Sequence, residues 1–328
     1  MKKHIILIQL ISIILLLHFT TYTFAKGNSI LSQKPEEFTN TDIVISQLSN
    51  DISTNTPDAM DQPNGNNWPT PYTLVAFIGI PVGTLVYGMA TWNWGEEDGF
   101  HVRHEGFFGQ NTANGGADKV GHAFSHYLAF RIMHNYYDWS ENGKNTKWFY
   151  SITTAAALGL MIEVGDAYTS EYGFSYEDLI SDLSGITLGV ILEYSPTLDS
   201  LIGYSWQYVP TSRFYKKQNE KPINFTTDYN GAIFVLNFRL AGLQNLGLKL
   251  PDFLRYIQLD FGYFTRNYRS GDVTDEGPYR SLYYGVSLNF MEIVKDFFDN
   301  PETRASRILQ QPFKYYHIPA GYHENYKI

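Results

Sequence analysis

The chain contains no cysteine. That excludes disulfide staples, thiolate metal ligands and acylation of an N-terminal cysteine, so packing, hydrogen bonding or a membrane must supply its stability. Basic residues are also scarce: 24 Lys and Arg stand against 33 Asp and Glu, a formal charge of −9. Such a balance excludes nucleic acid as a partner, because a phosphate backbone is bound through a basic face. Charge is missing altogether from Tyr72 to Trp94. Residues 26–70 lack the apolar content to fold alone, with runs such as Thr54-Asn55-Thr56-Pro57 and Gln62-Pro63-Asn64-Gly65-Asn66-Asn67, and read as a disordered linker.

What is present begins with an export signal. Met1-Lys2-Lys3-His4 precedes an apolar run from Ile5 to Phe19, and Thr23-Phe24-Ala25 offers small residues for cleavage. This is the pattern of a signal peptide over residues 1–25. Its removal takes Lys2 and Lys3 and deepens the negative charge by two. The expected location is the periplasm or outer membrane of a Gram-negative-type envelope, with membrane or other envelope components as partners.

The uncharged stretch from Tyr72 to Trp94 is interrupted by Gly79, Pro81, Gly83 and Gly88. Its length suits a membrane span of ~20 residues. It equally suits a kinked, buried helix in which Gly79 and Gly83 allow close helix contact. Three further helices are legible. Asp118 to Tyr137 carries Val120, Ala123, Phe124, Tyr127, Leu128 and Phe130 at helical spacing and stops before the turn-rich Ser140-Glu141-Asn142-Gly143. Trp148 to Tyr168 is the second. Ser175 caps the third, with Asp178 three residues on, and Pro196 ends it soon after Glu193.

Beyond Phe214 the hydrophobic period becomes two. Ala232, Phe234, Leu236 and Phe238 alternate, as do Ile257, Leu259, Phe261 and Tyr263, and then Leu282, Tyr284, Val286, Leu288 and Phe290. Closing a membrane barrel takes about eight strands. Three strands instead predict a small antiparallel sheet lying against the helices. The expected class is α+β, with an antiparallel bundle of three to four helices in residues 71–214, a β-rich region in 215–299 and a tail in 300–328 that receives no role.

Each helix carries a polar stripe. Asp118, His122, Ser125 and Ala129 share one face of the first, with charge at its N-terminal end. Ala156, Gly159, Glu163 and Asp166 share a face of the second, but there the charged end is C-terminal. Asp178, Asp182, Gly185 and Gly189 share a face of the third, charged again at the N-terminal end. Short connections make neighbouring helices antiparallel. Up, down, up therefore gathers the three charged ends and leaves a seam of small residues behind them.

Five carboxylates at one bundle end repel unless something cationic or protonated sits among them. Lys119, His122, His126 and Arg131 are candidates, with His101, Arg103 and His104 from the preceding segment; a divalent metal is the other. Three readings stay open: a structural ion-pair network, a metal site and metal-free acid–base chemistry. For a metal such as zinc, manganese or iron, the candidate ligands are Asp118, His122, Glu163 and Asp182, since facing helices of bundles build carboxylate and imidazole sites. For catalysis the candidates are His122, Glu163 and Asp166, with His122 as proton carrier. Lys119, Asp178 and Gly185 support either arrangement. His126 reads as a packing histidine, and Gly173-Phe174-Ser175 as a helix entry rather than a reactive serine turn.

The ordered set Asp118-Lys119-x-x-His122, Glu163-x-x-Asp166 and Gly173-Phe174-Ser175-x-x-Asp178-Leu179-x-x-Asp182-x-x-Gly185 resembles the YfiM-like predicted periplasmic lipoproteins. Trp92-x-Trp94 with Phe100-His101, and Asp228-Tyr229-Asn230-Gly231, resemble longer members of that family, so the likeness runs over about residues 72–240. A weaker likeness, in Asp-Lys-x-x-His followed by Glu, Asp and Gly, is to VanZ-like membrane proteins. The resemblance implies an envelope location and a helical core, and no activity. Lipoprotein members carry an acylated cysteine, which this chain does not have.

Overall fold

The structure is a computed structural model that describes residues 68–97, 99–211, 226–268, 276–298, 300 and 303–328. The signal peptide and almost all of the linker expected at the N-terminus lie outside these residues. Among the described residues four long helices come first: α1 Pro71–Thr91, α2 Ala117–Trp139, α3 Lys144–Asp166 and α4 Tyr176–Tyr194. Their ends have local causes. Thr70 caps α1 by accepting from the Thr73 amide at 3.3 Å, with Pro71 at the first helical position, where no donor is needed. Ser175 caps α4 by accepting from the Asp178 amide at 3.1 Å. The loop between α2 and α3 is short, and its Asn142 donates back to the Tyr137 carbonyl at 2.8 Å.

The rest alternates short helices with strands. α5 Pro196–Leu201 leads into β1 Ile202–Tyr208; β2 Ala232–Arg239 is followed by α6 Leu240–Asn245, β3 Ile257–Arg266, β4 Tyr279–Leu288, α7 Phe290–Asp296, α8 Arg304–Tyr315 and β5 Gly321–Lys327. The five strands form one antiparallel sheet in the order β1-β2-β3-β4-β5. The class is α+β, as expected, but the sheet has two strands beyond the three read from periodicity. β1 falls in the stretch read as helical, and β5 in the tail.

α2 is the axis of the molecule. One side of it packs on α3 and α4, and the other on the sheet through Phe124 and Tyr127, which meet Tyr204 and Phe234. Phe124 stands edge-on to Tyr204 with ring centroids 5.4 Å apart. Each such fully buried aromatic contributes roughly 1.5–3 kcal/mol.

α1 is not the fully buried helix that was one of two readings of residues 72–94. It buries only Thr73, Ala76 and Gly88, leaving Val75 69 % and Val86 61 % exposed. No atom lies within 4 Å of a Cβ built on Gly79 or Gly83, so neither serves a helix contact among the described residues. The outer face of α3 is apolar too, with Phe149, Leu160 and Val164 exposed. By length and composition both helices could cross a membrane.

The sheet has unusual polarity. Leu236, Phe261, Leu282, Tyr284 and Val286 share one face and are exposed, whereas Ser205, Asn237, Gln258, Asp260 and Ser287 are buried. Period two in the sequence gives the alternation but not which face is covered.

Candidate functional site

The polar cluster is built from the N-terminal ends of α2 and α4 and the C-terminal end of α3, the arrangement that alternating helix directions predict. α2 is entered through Gly115 and Gly116, both at positive φ, which turns the chain so that Asp118 and Lys119 point inward. Lys119 is 1 % exposed. Its Nζ donates to Glu105 at 2.6 Å, Asp118 at 2.8 Å and Asp178 at 2.8 Å. Burial opposes its charge, but Asp118, Asp178 and Glu105 together hold the ammonium above its ordinary value. One cation does not balance three carboxylates. Burial therefore pushes Asp118 up to about 7, with Lys119 opposing and Asp178 and Glu105 adding to the rise.

One helical turn on, two histidines converge on one carboxylate. His122 Nδ1 lies 2.9 Å from Asp182 Oδ1, and His126 Nδ1 lies 2.6 Å from the same oxygen and 3.1 Å from the His122 carbonyl. Both neighbours of His126 Nδ1 are acceptors, so Nδ1 donates. His122 Nε2 lies 3.8 Å from Asp178. The His122 side chain is 19 % exposed, whereas those of His126 and Asp182 are buried, so the cluster opens to the outside at His122. Burial works against ionising Asp182, yet His122 and His126 hold it down at about 2. Burial also opposes charge on His122, but Asp178 and Asp182 raise it well above its ordinary value.

α3 adds two acids. Glu163 accepts from the Ser175 amide at 2.9 Å through Oε2; burial pushes it up to about 8, against the pull of His122. Asp166 accepts from Trp94 Nε1 at 2.7 Å and is pushed by burial to about 7, with Trp94 opposing. Trp94 itself lies against Gly88 and Gly165, whose missing side chains make room for the indole. Asp166 is thus committed to anchoring the segment that follows α1.

Among the described residues, four buried polar atoms of this cluster find no hydrogen-bond partner: Asp118 Oδ1, His126 Nε2, Glu163 Oε1 and Asp182 Oδ2. Two of them converge on Gly159. A Cβ there would lie 2.5 Å from Asp182 Oδ2 and 2.9 Å from His126 Nε2, so the missing side chain is what lets these two atoms lie against the α3 backbone. Ligand atoms of His122, His126 and Asp182 lie within 4.8 Å of one another, and so do those of His122, Glu163 and Asp178.

Of the residues singled out in the sequence, His122, Glu163, Asp178 and Asp182 come together, with Asp118 and Lys119 adjoining them on the Glu105 side. Asp166 faces Trp94 instead, and Gly185 is the point where α4 meets the α2 backbone at Ala123. His126, which reads in the sequence as a packing histidine, joins them, and so does Glu105, which the sequence does not single out. His126 continues the four-residue spacing from Asp118 and His122, a signal that was available. Glu105 sits in irregular chain ahead of α2, where no periodicity marks it.

Residues 104–194 match a family model described as predicted periplasmic lipoprotein (DUF2279). The description is consistent with an exported, envelope-associated protein. The matched stretch holds every residue of the cluster except Trp94, while α1 and the sheet lie outside it. No curated protein and no solved structure matches the chain.

Proposed function

We propose that this is a membrane-associated envelope protein whose helix bundle binds a divalent metal ion between His122, His126 and Asp182, with Glu163 alongside. The carrying observation is the set of four buried polar atoms without partners in one cluster. A purely structural network satisfies its members, and each buried orphan costs about 1–3 kcal/mol. A cation among them offsets that cost and the mutual repulsion of the acids. The donors fit such an ion. Mixed imidazole and carboxylate ligation suits zinc, manganese or iron, and Asp182 Oδ1 holds both Nδ1 atoms, the orienting contact that ligating histidines use.

When bound, the metal supplies a Lewis acid and an activated water. The chain's own residues do the rest: His122 stands at the opening, and Glu163, at about 8, holds a proton for a leaving group. The reading is hydrolysis of a lipid-linked or cell-wall substrate. An apolar cleft of about 540 Å³, with Ala123, Leu188, Leu236, Phe261 and Tyr284 among its walls, runs between the helices and the sheet past Gly185. The exposed outer faces of α1 and α3 seat the molecule on lipid, since patches of this kind mark interaction surfaces.

The proton balance provides the test. In the folded chain Asp118, Glu163, Asp166 and His122 all keep protons to higher pH than in the unfolded chain. Raised values mean that unfolding releases protons, so stability falls as pH rises, by up to about 1.4 kcal/mol per unit for each proton. Asp182, held at about 2, contributes a loss only at acid pH below this window. With a chelator present, thermal stability is expected to fall from pH 5 to pH 8, and added zinc to restore it at pH 8. Stability that stays level or rises over that range, without a zinc effect, overturns the proposal. Membrane association is checked by flotation with liposomes, which Val75→Asp with Val86→Asp is expected to abolish.

A further inference from the structure

We infer that a second divalent-metal site lies on the covered face of the sheet, between Asp260, His317 and His323. It is independent of the bundle centre and lies outside the stretch that matches the family model. Three chain segments meet there. Asp260 is in the middle of β3, His323 is on the edge strand β5, and His317 lies in the link between α8 and β5, where its amide donates to the Trp206 carbonyl at 3.0 Å.

The sheet register makes the meeting feasible. Asp260, Gly285 and His323 stand in one row across β3, β4 and β5. A Cβ on Gly285 would lie 2.5 Å from the His323 ring, so the glycine lets that imidazole reach over β4 to Asp260. His323 Nε2 is 2.8 Å from Asp260 Oδ2, and His317 Nε2 is 3.6 Å from the same oxygen. Ligand atoms of all three residues lie within 4.8 Å of one another.

The surroundings resemble the outer contacts of a metal site. Asn237 and Gln258 donate to Asp260 Oδ1 at 2.8 and 3.1 Å, fixing the carboxylate and leaving Oδ2 for the two imidazoles. Asp260 is fully buried and His317 nearly so. Asn237 Nδ2 also lies 3.3 Å from His317 Nδ1, and the Tyr283 hydroxyl lies 3.3 Å from His317 Nε2, the atom that would face the metal. A void of about 10 Å³ beside His317, lined also by Ser205, Asn237 and Gln258, has room for about one water. Two imidazoles and one carboxylate suit a zinc-class ion. Such an ion ties β5 to the centre of the sheet.

The test uses the full chain carrying His122→Ala, which takes away the ligand that both candidate groups of the bundle share. Zinc, titrated against a chromophoric chelator, is expected to bind at about one equivalent, and to bind more than about 10-fold more weakly when His323→Gln is added. Zinc is also expected to raise the unfolding temperature of the His122→Ala chain. Equal zinc affinity with and without His323→Gln overturns the inference, as does an unfolding temperature indifferent to zinc. Loss of the bundle centre's metal leaves these results unchanged, so the two sites succeed or fail separately.

Discussion

Replacing Lys119 with methionine is expected to lower the stability of the folded chain by about 3–5 kcal/mol at neutral pH, the cost of leaving a buried charge without its partner. Three carboxylates from three places in the chain depend on this one ammonium: Glu105 ahead of α2, Asp118 at its first turn and Asp178 at the start of α4. The methionine fills a similar volume, so the loss reports charge rather than packing. The effect shrinks toward pH 5. Without Lys119 the acids take up protons in the folded state, and lowering the pH removes the charge that the substitution left unpaired. Urea unfolding at pH 5 and pH 8 measures both values. A loss below about 1 kcal/mol at pH 8 would mean that the acids are not held together by Lys119.

The second large effect is steric. Gly185 sits where α4 crosses α2, and a Cβ there would overlap the Ala123 carbonyl. Backbone atoms cannot swing aside as a side-chain end can, so Gly185→Ala must separate the helices. A loss of about 3 kcal/mol is expected, the upper end of ordinary overpacking. Asp182 lies one turn away, so metal affinity falls with it. Gly79→Ala is the control. Its Cβ meets no atom of the described residues within 4 Å, and alanine in a helix interior gains roughly 0.5–1 kcal/mol over glycine. Chemical denaturation of both variants decides the point; equal stabilities would remove Gly185 from the close contact.

These two residues also show what periodicity carries. The polar stripes on α2, α3 and α4 and the alternating helix directions were legible because helix spacing is local, and antiparallel packing then brought Asp118, His122, Glu163 and Asp182 to one end. The small residues were not equally legible. Gly185 and Gly79 look alike in sequence, but one faces a helix and the other does not. His126 shares the spacing of Asp118 and His122, yet its role depends on which carboxylate faces it, and that is a tertiary fact.

β1 carries the alternation Ile202, Tyr204, Trp206, Tyr208, which went unread because it follows α5 directly. β5 is too polar for any hydrophobic period, Gly-Tyr-His-Glu-Asn-Tyr-Lys, and pairs only because β4 offers its edge. The cluster of Asp260, His317 and His323 spans 63 residues between its first and last members and leaves no local pattern.

At the centre of the proposed function stands a divalent metal held by His122, His126 and Asp182 beside Gly159. Its most direct test is the zinc stoichiometry of the full chain carrying His323→Gln, so that only the bundle centre counts, compared with the same chain carrying Gly159→Ala. The Gly159→Ala chain keeps every ligand residue, but its Cβ would stand 2.5 Å from Asp182 Oδ2 and 2.9 Å from His126 Nε2, so both side chains must move away. About one tightly bound equivalent is expected in the first and none in the second, with helix content unchanged by circular dichroism. A folded His323→Gln chain that takes up no zinc, or a Gly159→Ala chain that binds it just as well, would contradict the account.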